Sequence, residues 1–149
     1  MNIKAYACSK KLRKRALCFI MSVFISSVSF GSTLLVHPAH AQTIISQDSL
    51  RAIYSMRQRA WPDGTPVTVF MYAADSELHR NFCLRDLELF PYQLQRVWDV
   101  LIYSGAGQSP VRVKSKDEML KKISSTIGAI GYVAEKGVGS NVKVIKFQK

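Results

Sequence analysis

Apolar and polar residues follow two periods along the chain, and these periods predict strands and helices in alternation. A continuous apolar run at positions 33–37 and a run of branched and aromatic residues at 66–72 predict two buried strands. Two shorter apolar runs predict closing strands at 128–133 and 141–147. Apolar residues recurring at intervals of three and four predict helices at 46–57, 74–87, 91–105 and 115–123.

Serines that precede three of the predicted helices are candidate N-caps, because their hydroxyls can accept from a first-turn N–H group. They are Ser46, Ser76 and Ser115, with Asp75 as an alternative cap for the second helix. Gly105 can adopt the positive φ that ends a helix. The third helix has the longest apolar stripe, made of Leu94, Val97, Trp98, Leu101 and Ile102.

Strands that alternate with helices imply an α/β domain with a partly parallel, mixed sheet flanked by helices. Ligands of such sheets bind beyond the carboxyl ends of strands, near helix N-termini. Two loops that lead from a strand to a helix meet this condition, at 37–46 and 73–76.

The positive charge of the chain is concentrated before its first apolar run. The formal charge is +11, from 21 Lys and Arg against 10 Asp and Glu over 149 residues, and six of the basic residues lie within positions 1–31. Removing that segment leaves 15 basic and 10 acidic residues. The basic character therefore indicates a leader, and nucleic acid is not an expected partner.

A basic start followed by the apolar run at 16–30 is typical of a secretory signal peptide. Cleavage after Gly31 and cleavage after Ala41 both fit small-residue sites. We therefore expect a signal peptide at 1–31 and a domain at 32–149, exported to the periplasm. An uncleaved membrane anchor is the alternative, since the uncharged stretch approaches the length of a membrane span.

No residue pair predicts catalysis or a metal site. Ser76 and His79 lie on one helix without an orienting acid, and the three histidines are scattered as loop residues would be. Cys83 is the one cysteine after the leader, and no histidine is expected beside it, so it is interpreted as a small core residue. Neither an enzyme nor a cofactor is expected.

One location has a physical argument for binding an anion. A helix that starts at Ser76 presents unpaired N–H groups at Glu77 and Leu78, together with the positive end of its dipole. Arg80, one turn later, can add a guanidinium group. The same residues also fit a simple capped helix, so spacing alone leaves both interpretations open.

The segment from Ala52 to Val133 resembles the small phosphate-transporter substrate-binding-like proteins, which are single-domain relatives of periplasmic binding proteins with the type 2 fold. The resemblance is carried by Trp61-Pro62-Asp63-Gly64, by a Ser-x-x-x-Arg-x-Phe helix start at Ser76, and by Gly128-Ala129-Ile130-Gly131-Tyr132-Val133. An aromatic helix through Trp98 and the loop at 105–110 lie between them. The resemblance extends over roughly Thr33 to Phe147.

This resemblance implies a single-lobe domain that binds phosphate or a related oxyanion for transport or sensing. Ser76 and Arg80 match the family's binding serine and arginine, and the loop at 37–39, with His37 and Pro38, would complete the pocket. Met71 stands where full-length phosphate-binding proteins have an arginine. Since one lobe leaves its ligand half exposed, a homodimer or another partner would have to cover it.

The alternative is an interaction module that keeps this fold, has lost the anion site, and docks on a membrane sensor or transporter component. Met71 favours this interpretation, as do the carboxylates of Asp75 and Glu77 beside the expected site.

Overall fold

The computed structural model describes residues 31–134, 138–139 and 141–148. The predicted signal peptide lies outside these residues, apart from Gly31. The strands are β1 Ser32–Val36, β2 Ile44–Ser46, β3 Thr68–Met71, β4 Val111–Arg112, β5 Ala129–Ala134 and β6 Lys143–Gln148. The helices are α1 Gln47–Tyr54, α2 Glu77–Phe82, α3 Pro91–Tyr103 and α4 Lys116–Ser125, and a π-helical turn, Cys83–Leu87, extends α2.

The six strands form one mixed sheet in the order β2-β6-β1-β5-β3-β4. β1 pairs antiparallel with both of its neighbours, whereas the pairs β2–β6, β3–β5 and β3–β4 are parallel. Five strands therefore run in one direction and only β1 runs against them. We call the edge at which these five strands end the carboxyl edge, and the edge at which they begin the amino edge.

Helices cover both faces of the sheet, as consecutive residues of β5 show. A Cβ added at Gly131 would lie 2.6 Å from Met119 Sδ, so α4 packs on that face. The ring of Tyr132, the next residue, stacks on Phe82 of α2 with centroids 3.9 Å apart. Since neighbouring residues of a strand face opposite sides, α2 and α4 lie on opposite faces of the sheet.

This architecture confirms the predicted α/β class with a mixed sheet between helices. All four predicted helices and the four predicted strands are present. The strands β2 and β4 were not predicted, because three and two residues are too short to show a period. β2 lies inside the segment that was expected to be a loop.

β1 occupies the interior of the sheet, between β5 and β6. Leu34, Leu35 and Val36 are all buried. A chain cut after Ala41 would lose this strand, whereas a chain cut after Gly31 would keep it. The position of cleavage itself stays a prediction.

The buried faces of α2 and α3 are formed by few side chains. In α2, Leu78 is only partly buried, whereas His79, on the predicted helix, is buried. In α3, Leu94 and Trp98 are buried, while Val97 and Ile102 are exposed. The predicted apolar stripe was wider than the core it packs against.

Within the described ranges, no helix has the length and apolar character needed to cross a membrane.

Candidate anion-binding site

The starts of three helices lie along the carboxyl edge of the sheet. In each, a serine side chain accepts from the N–H three residues later, with an N···O distance of 3.2 Å. The capping serines are Ser46 of α1, Ser76 of α2 and Ser115 of α4. Ser46 is the last residue of β2, and Ser76 and Ser115 follow β3 and β4, because a strand that ends at this edge leads into the next helix. All three predicted caps are confirmed.

The start of α2 has backbone donors that remain available. The Ser76 hydroxyl accepts from His79 N, and the Ser76 carbonyl accepts from Arg80 N at 3.0 Å. Within the described part of the chain, no acceptor contacts the N–H groups of Glu77 and Leu78. Two donors and the positive end of the helix dipole are therefore directed out of the carboxyl edge.

Arg80 lies beside these donors, in a shallow depression of about 470 Å³. Tyr92 from the first turn of α3 also lines this depression. Asp75 and Glu77 line the same depression, so two carboxylates lie near the guanidinium group. The depression attracts anions through Arg80 and opposes them through its acids.

The end of β3 has no cation of its own. Met71, at the position where the resemblance implies an arginine, is buried, with 1% of its surface exposed. However, Arg112 of β4 pairs with Met71 in the parallel register, which places its Cα at the same level of the sheet. Sequence reasoning missed Arg112, since only the unpredicted pairing of β3 with β4 brings it to this edge.

His37 and Pro38 lie at the opposite edge of the sheet. The His37 N–H donates to the carbonyl of Ala129, the first residue of β5, at 3.3 Å. The expectation that this loop completes a pocket around Ser76 is therefore wrong. β1 runs against the other strands, so its carboxyl end lies at the amino edge.

A buried polar cluster lies directly beneath the cap of α2. The His79 ring places Nδ1 2.7 Å from the Tyr132 hydroxyl and Nε2 3.4 Å from Cys83 Sγ. The Tyr132 hydroxyl also accepts from the backbone N–H of Tyr72, at 3.4 Å. Through the Tyr132 hydroxyl, hydrogen bonds connect β5 both to the end of β3, at Tyr72, and to α2, at His79.

Cys83 is a buried core residue, as predicted, but the expectation that it has no histidine neighbour is wrong. Residues four apart share one helix face, and this spacing could have revealed the pair in the sequence. Burial raises the pKa of the Cys83 thiol to about 12, so it stays protonated. Burial, together with the charge of Arg112, lowers the pKa of His79 to about 4.

The His79 ring contacts Tyr132 and Cys83, and only its backbone N–H contacts Ser76. It therefore does not form a nucleophile–base pair with the Ser76 hydroxyl. Among the residues that the structure describes, no group of three His, Cys, Asp or Glu side chains is arranged to hold a metal ion.

Several solved structures that are similar to this fold are named as phosphate-transport or phosphate-binding proteins. An ABC-type phosphate transport receptor from Vibrio cholerae is 18% identical, with a TM-score of 0.65 over 80% of this chain and 47% of its own. A phosphate ABC transporter substrate-binding protein from Clostridium perfringens, solved with bound phosphate, is 15% identical, with a TM-score of 0.64 over 79% of this chain and 45% of its own. PstS from Borrelia burgdorferi is 13% identical, with a TM-score of 0.58 over 80% of this chain and 48% of its own.

These similarities confirm the predicted resemblance at the level of the fold. The chain therefore has the substrate-binding-protein fold, and it spans less than half the length of these solved proteins. No protein-family model matches the chain. No curated protein matches it either.

Proposed function

We propose that this chain is an exported, non-enzymatic binding protein that holds phosphate or a related oxyanion at the start of α2, for transport or sensing. The observation that carries the proposal is the pair of unoccupied N–H groups at Glu77 and Leu78, beside the Ser76 cap. The fold it shares with phosphate-binding structures supports the same conclusion. Backbone donors at a helix N-terminus bind oxyanions through hydrogen bonds and through the helix dipole.

Arg80 and Arg112 supply the positive charge of the proposed site. Arg80 lies in the depression next to the free donors. Arg112 replaces, from the neighbouring strand, the cation that Met71 cannot provide. Two guanidinium groups can balance an oxyanion even though Asp75 and Glu77 are close to it.

The proposed site is open to solvent on the side away from the sheet. Since tight binding requires burial of the ligand, a second copy of the chain or a membrane transporter or sensor component would cover it. Export by a signal peptide at 1–31 would place the protein in the periplasm, where such a component is accessible. His37 and Pro38 have no part in this site.

Thermal unfolding of the purified protein, titrated with phosphate and with sulfate at constant ionic strength, tests the proposal. Ligand at about 100 times its dissociation constant stabilises the fold by roughly 2.7 kcal/mol, which raises the Tm by several degrees. Ser76→Ala should abolish this rise. Ser115→Ala is the matched control, because it removes an equivalent cap at the same edge, and it should leave the rise intact.

A saturating rise that Ser76→Ala leaves unchanged would remove Ser76 from the site. The absence of any rise with either anion would favour the second candidate function, an interaction module that has lost its ligand. The observation that favours this candidate is the presence of Asp75 and Glu77 in the depression of Arg80. Asp75→Asn and Glu77→Gln sharpen the choice, since an ancestral anion site should recover phosphate binding when these charges are removed.

A further inference from the structure

A groove runs between the end of α1 and the outer face of α3. One wall is the segment from Ser55 to Arg59, and the other is the helix face from Tyr92 to Leu101. Its volume is about 830 Å³, which exceeds that of the depression at Arg80. Tyr92 lines both and is the point at which they meet.

The α3 wall of this groove carries exposed apolar side chains, of which Tyr92 stacks on the neighbouring Phe90. Leu94 and Trp98 attach α3 to the core, and the Trp98 indole N–H donates to the Tyr54 carbonyl at 2.7 Å. On the other side of the helix, Tyr92 is 67% exposed and Val100 is 62% exposed. Exposed apolar side chains that line a concave surface mark binding sites.

Three arginines surround this apolar surface. They are Arg57, Arg59 and Arg96, and no acidic residue lines the groove. None of the three forms an ion pair with another described residue, since the ion pairs of that part of the chain involve Arg51. The groove thus combines an apolar floor with unneutralised guanidinium groups, which pair with carboxylates in a bidentate geometry.

We propose that this groove binds an acidic amphipathic helix of a partner protein. A helix laid between two walls would place its apolar side chains on Val97 and Val100, and carboxylates on its flanks would reach the three arginines. A second copy of this chain would bring the same arginines face to face, which opposes self-association there. A flat bilayer would touch the α3 ridge without filling the concave space between α3 and α1.

The docking surface goes beyond the proposed anion-binding function and does not depend on it. A partner held in this groove would contact Tyr92 and so reach the border of the Arg80 depression.

Fluorescence anisotropy with the full chain and a labelled, designed amphipathic helix tests this proposal. The probe carries leucines on one face and glutamates on the others, and a control peptide carries lysines in place of the glutamates. We expect saturable, salt-sensitive binding of the acidic helix and none of the basic one. Arg96→Glu and Val100→Asp should each weaken binding by at least about tenfold.

Two substitutions elsewhere on the surface serve as matched controls. Lys122→Glu makes the same charge reversal on α4, and Ile127→Asp makes the same apolar-to-acidic change at an exposed site. Both should leave the affinity unchanged. Equal losses in the control variants and the groove variants would overturn the proposal, as would no binding of the acidic helix.

Two further outcomes would assign the groove to another occupant and so overturn the proposal. One is a dimer in sedimentation experiments that Val100→Asp dissociates, without binding of the acidic helix. The other is binding to vesicles that contain anionic phospholipid, lost with Arg96→Glu, again without binding of the acidic helix.

Discussion

The two edges of the sheet differ in whether their hydrogen-bond donors have acceptors within the protein. At the amino edge two side-chain donors bind backbone carbonyls: the Trp61 indole N–H donates to the Gly128 carbonyl at 3.0 Å, and Lys143 Nζ donates to the His40 carbonyl at 2.6 Å. His40 Nε2 is buried there without a hydrogen-bond partner among the described residues. At the carboxyl edge, the N–H groups of Glu77 and Leu78 in the first turn of α2 have no acceptor within the described residues. The amino edge therefore stabilises the fold, whereas the carboxyl edge keeps donors available for a ligand.

The strand direction explains this difference. Five strands end at the carboxyl edge, and three of them lead into helix N-termini with unpaired donors. At the amino edge these five strands begin, and loops lead into them. Side chains such as Trp61 can hold these loops in place through hydrogen bonds. Histidine content alone does not identify the ligand edge, since His37 and His40 both lie at the amino edge.

The largest expected effect comes from removing β1, which crosses the sheet from one edge to the other. A chain that begins at Gln42 lacks the strand between β5 and β6 and the buried side chains of Leu34, Leu35 and Val36. We expect it not to fold, while a chain that begins at Ser32 folds. Circular dichroism and urea unfolding of both chains measure this difference, and a cooperative transition in the shorter chain would contradict it.

Gly128→Ala should be the most costly single substitution considered at the amino edge. Gly128 has φ +77°, and an added Cβ would lie 2.0 Å from the Pro66 carbonyl oxygen. Backbone strain and the steric clash together should lower the free energy of unfolding by at least about 3 kcal/mol.

Gly64→Ala is the matched control, because Gly64 also has positive φ but has nothing within 4 Å of the added Cβ. It should cost only the strain, about 1–2 kcal/mol. Urea unfolding compares the two variants. Equal losses in the free energy of unfolding would mean that the clash with Pro66 does not contribute to the cost of Gly128→Ala.

Acid should destabilise the protein through the His79 cluster under the carboxyl edge. The pKa of His79 is lowered from an ordinary value of 6.5 to about 4, so between these values the unfolded chain binds a proton that the folded chain does not. Stability is therefore complete above pH 6.5 and falls as the pH is lowered towards 4, by up to about 3 kcal/mol.

Urea unfolding as a function of pH measures this effect, with His79→Gln as the comparison. The variant lacks the titrating ring, so its stability should decrease less over the same pH range. The same slope in both proteins would show that other groups, such as His40, account for the acid sensitivity.

Ser46→Ala should have the smallest effect, at the carboxyl edge. It removes the hydroxyl that accepts from Ser49 N at 3.2 Å, at an exposed helix start. The expected loss is about 1 kcal/mol, with no change in any phosphate response. A loss comparable to that of Gly128→Ala would show that the carboxyl edge is as important for stability as the amino edge.

Sequence reasoning worked best where a local signal was sufficient. The caps at Ser46, Ser76 and Ser115 were predicted because each requires only a hydroxyl and the helix that follows it. The stripe of α3 was predicted too wide, since periodicity shows that a side chain is apolar but does not show whether a partner covers it. β4 was missed because two residues carry no period, and Arg112 was missed with it.

The sequence by itself determined the alternation of strands and helices, the helix caps and the resemblance to phosphate-transport binding proteins, because these depend on residues close together in the chain. Only the tertiary structure decided that β1 is antiparallel, that His37 and Pro38 therefore lie opposite Ser76, and that Arg112 stands beside Met71. Strand direction and strand order arise from pairing between distant segments, and a local pattern is compatible with either direction. The physical reason is that side-chain alternation is the same in parallel and antiparallel strands, whereas the edge at which a loop emerges is not.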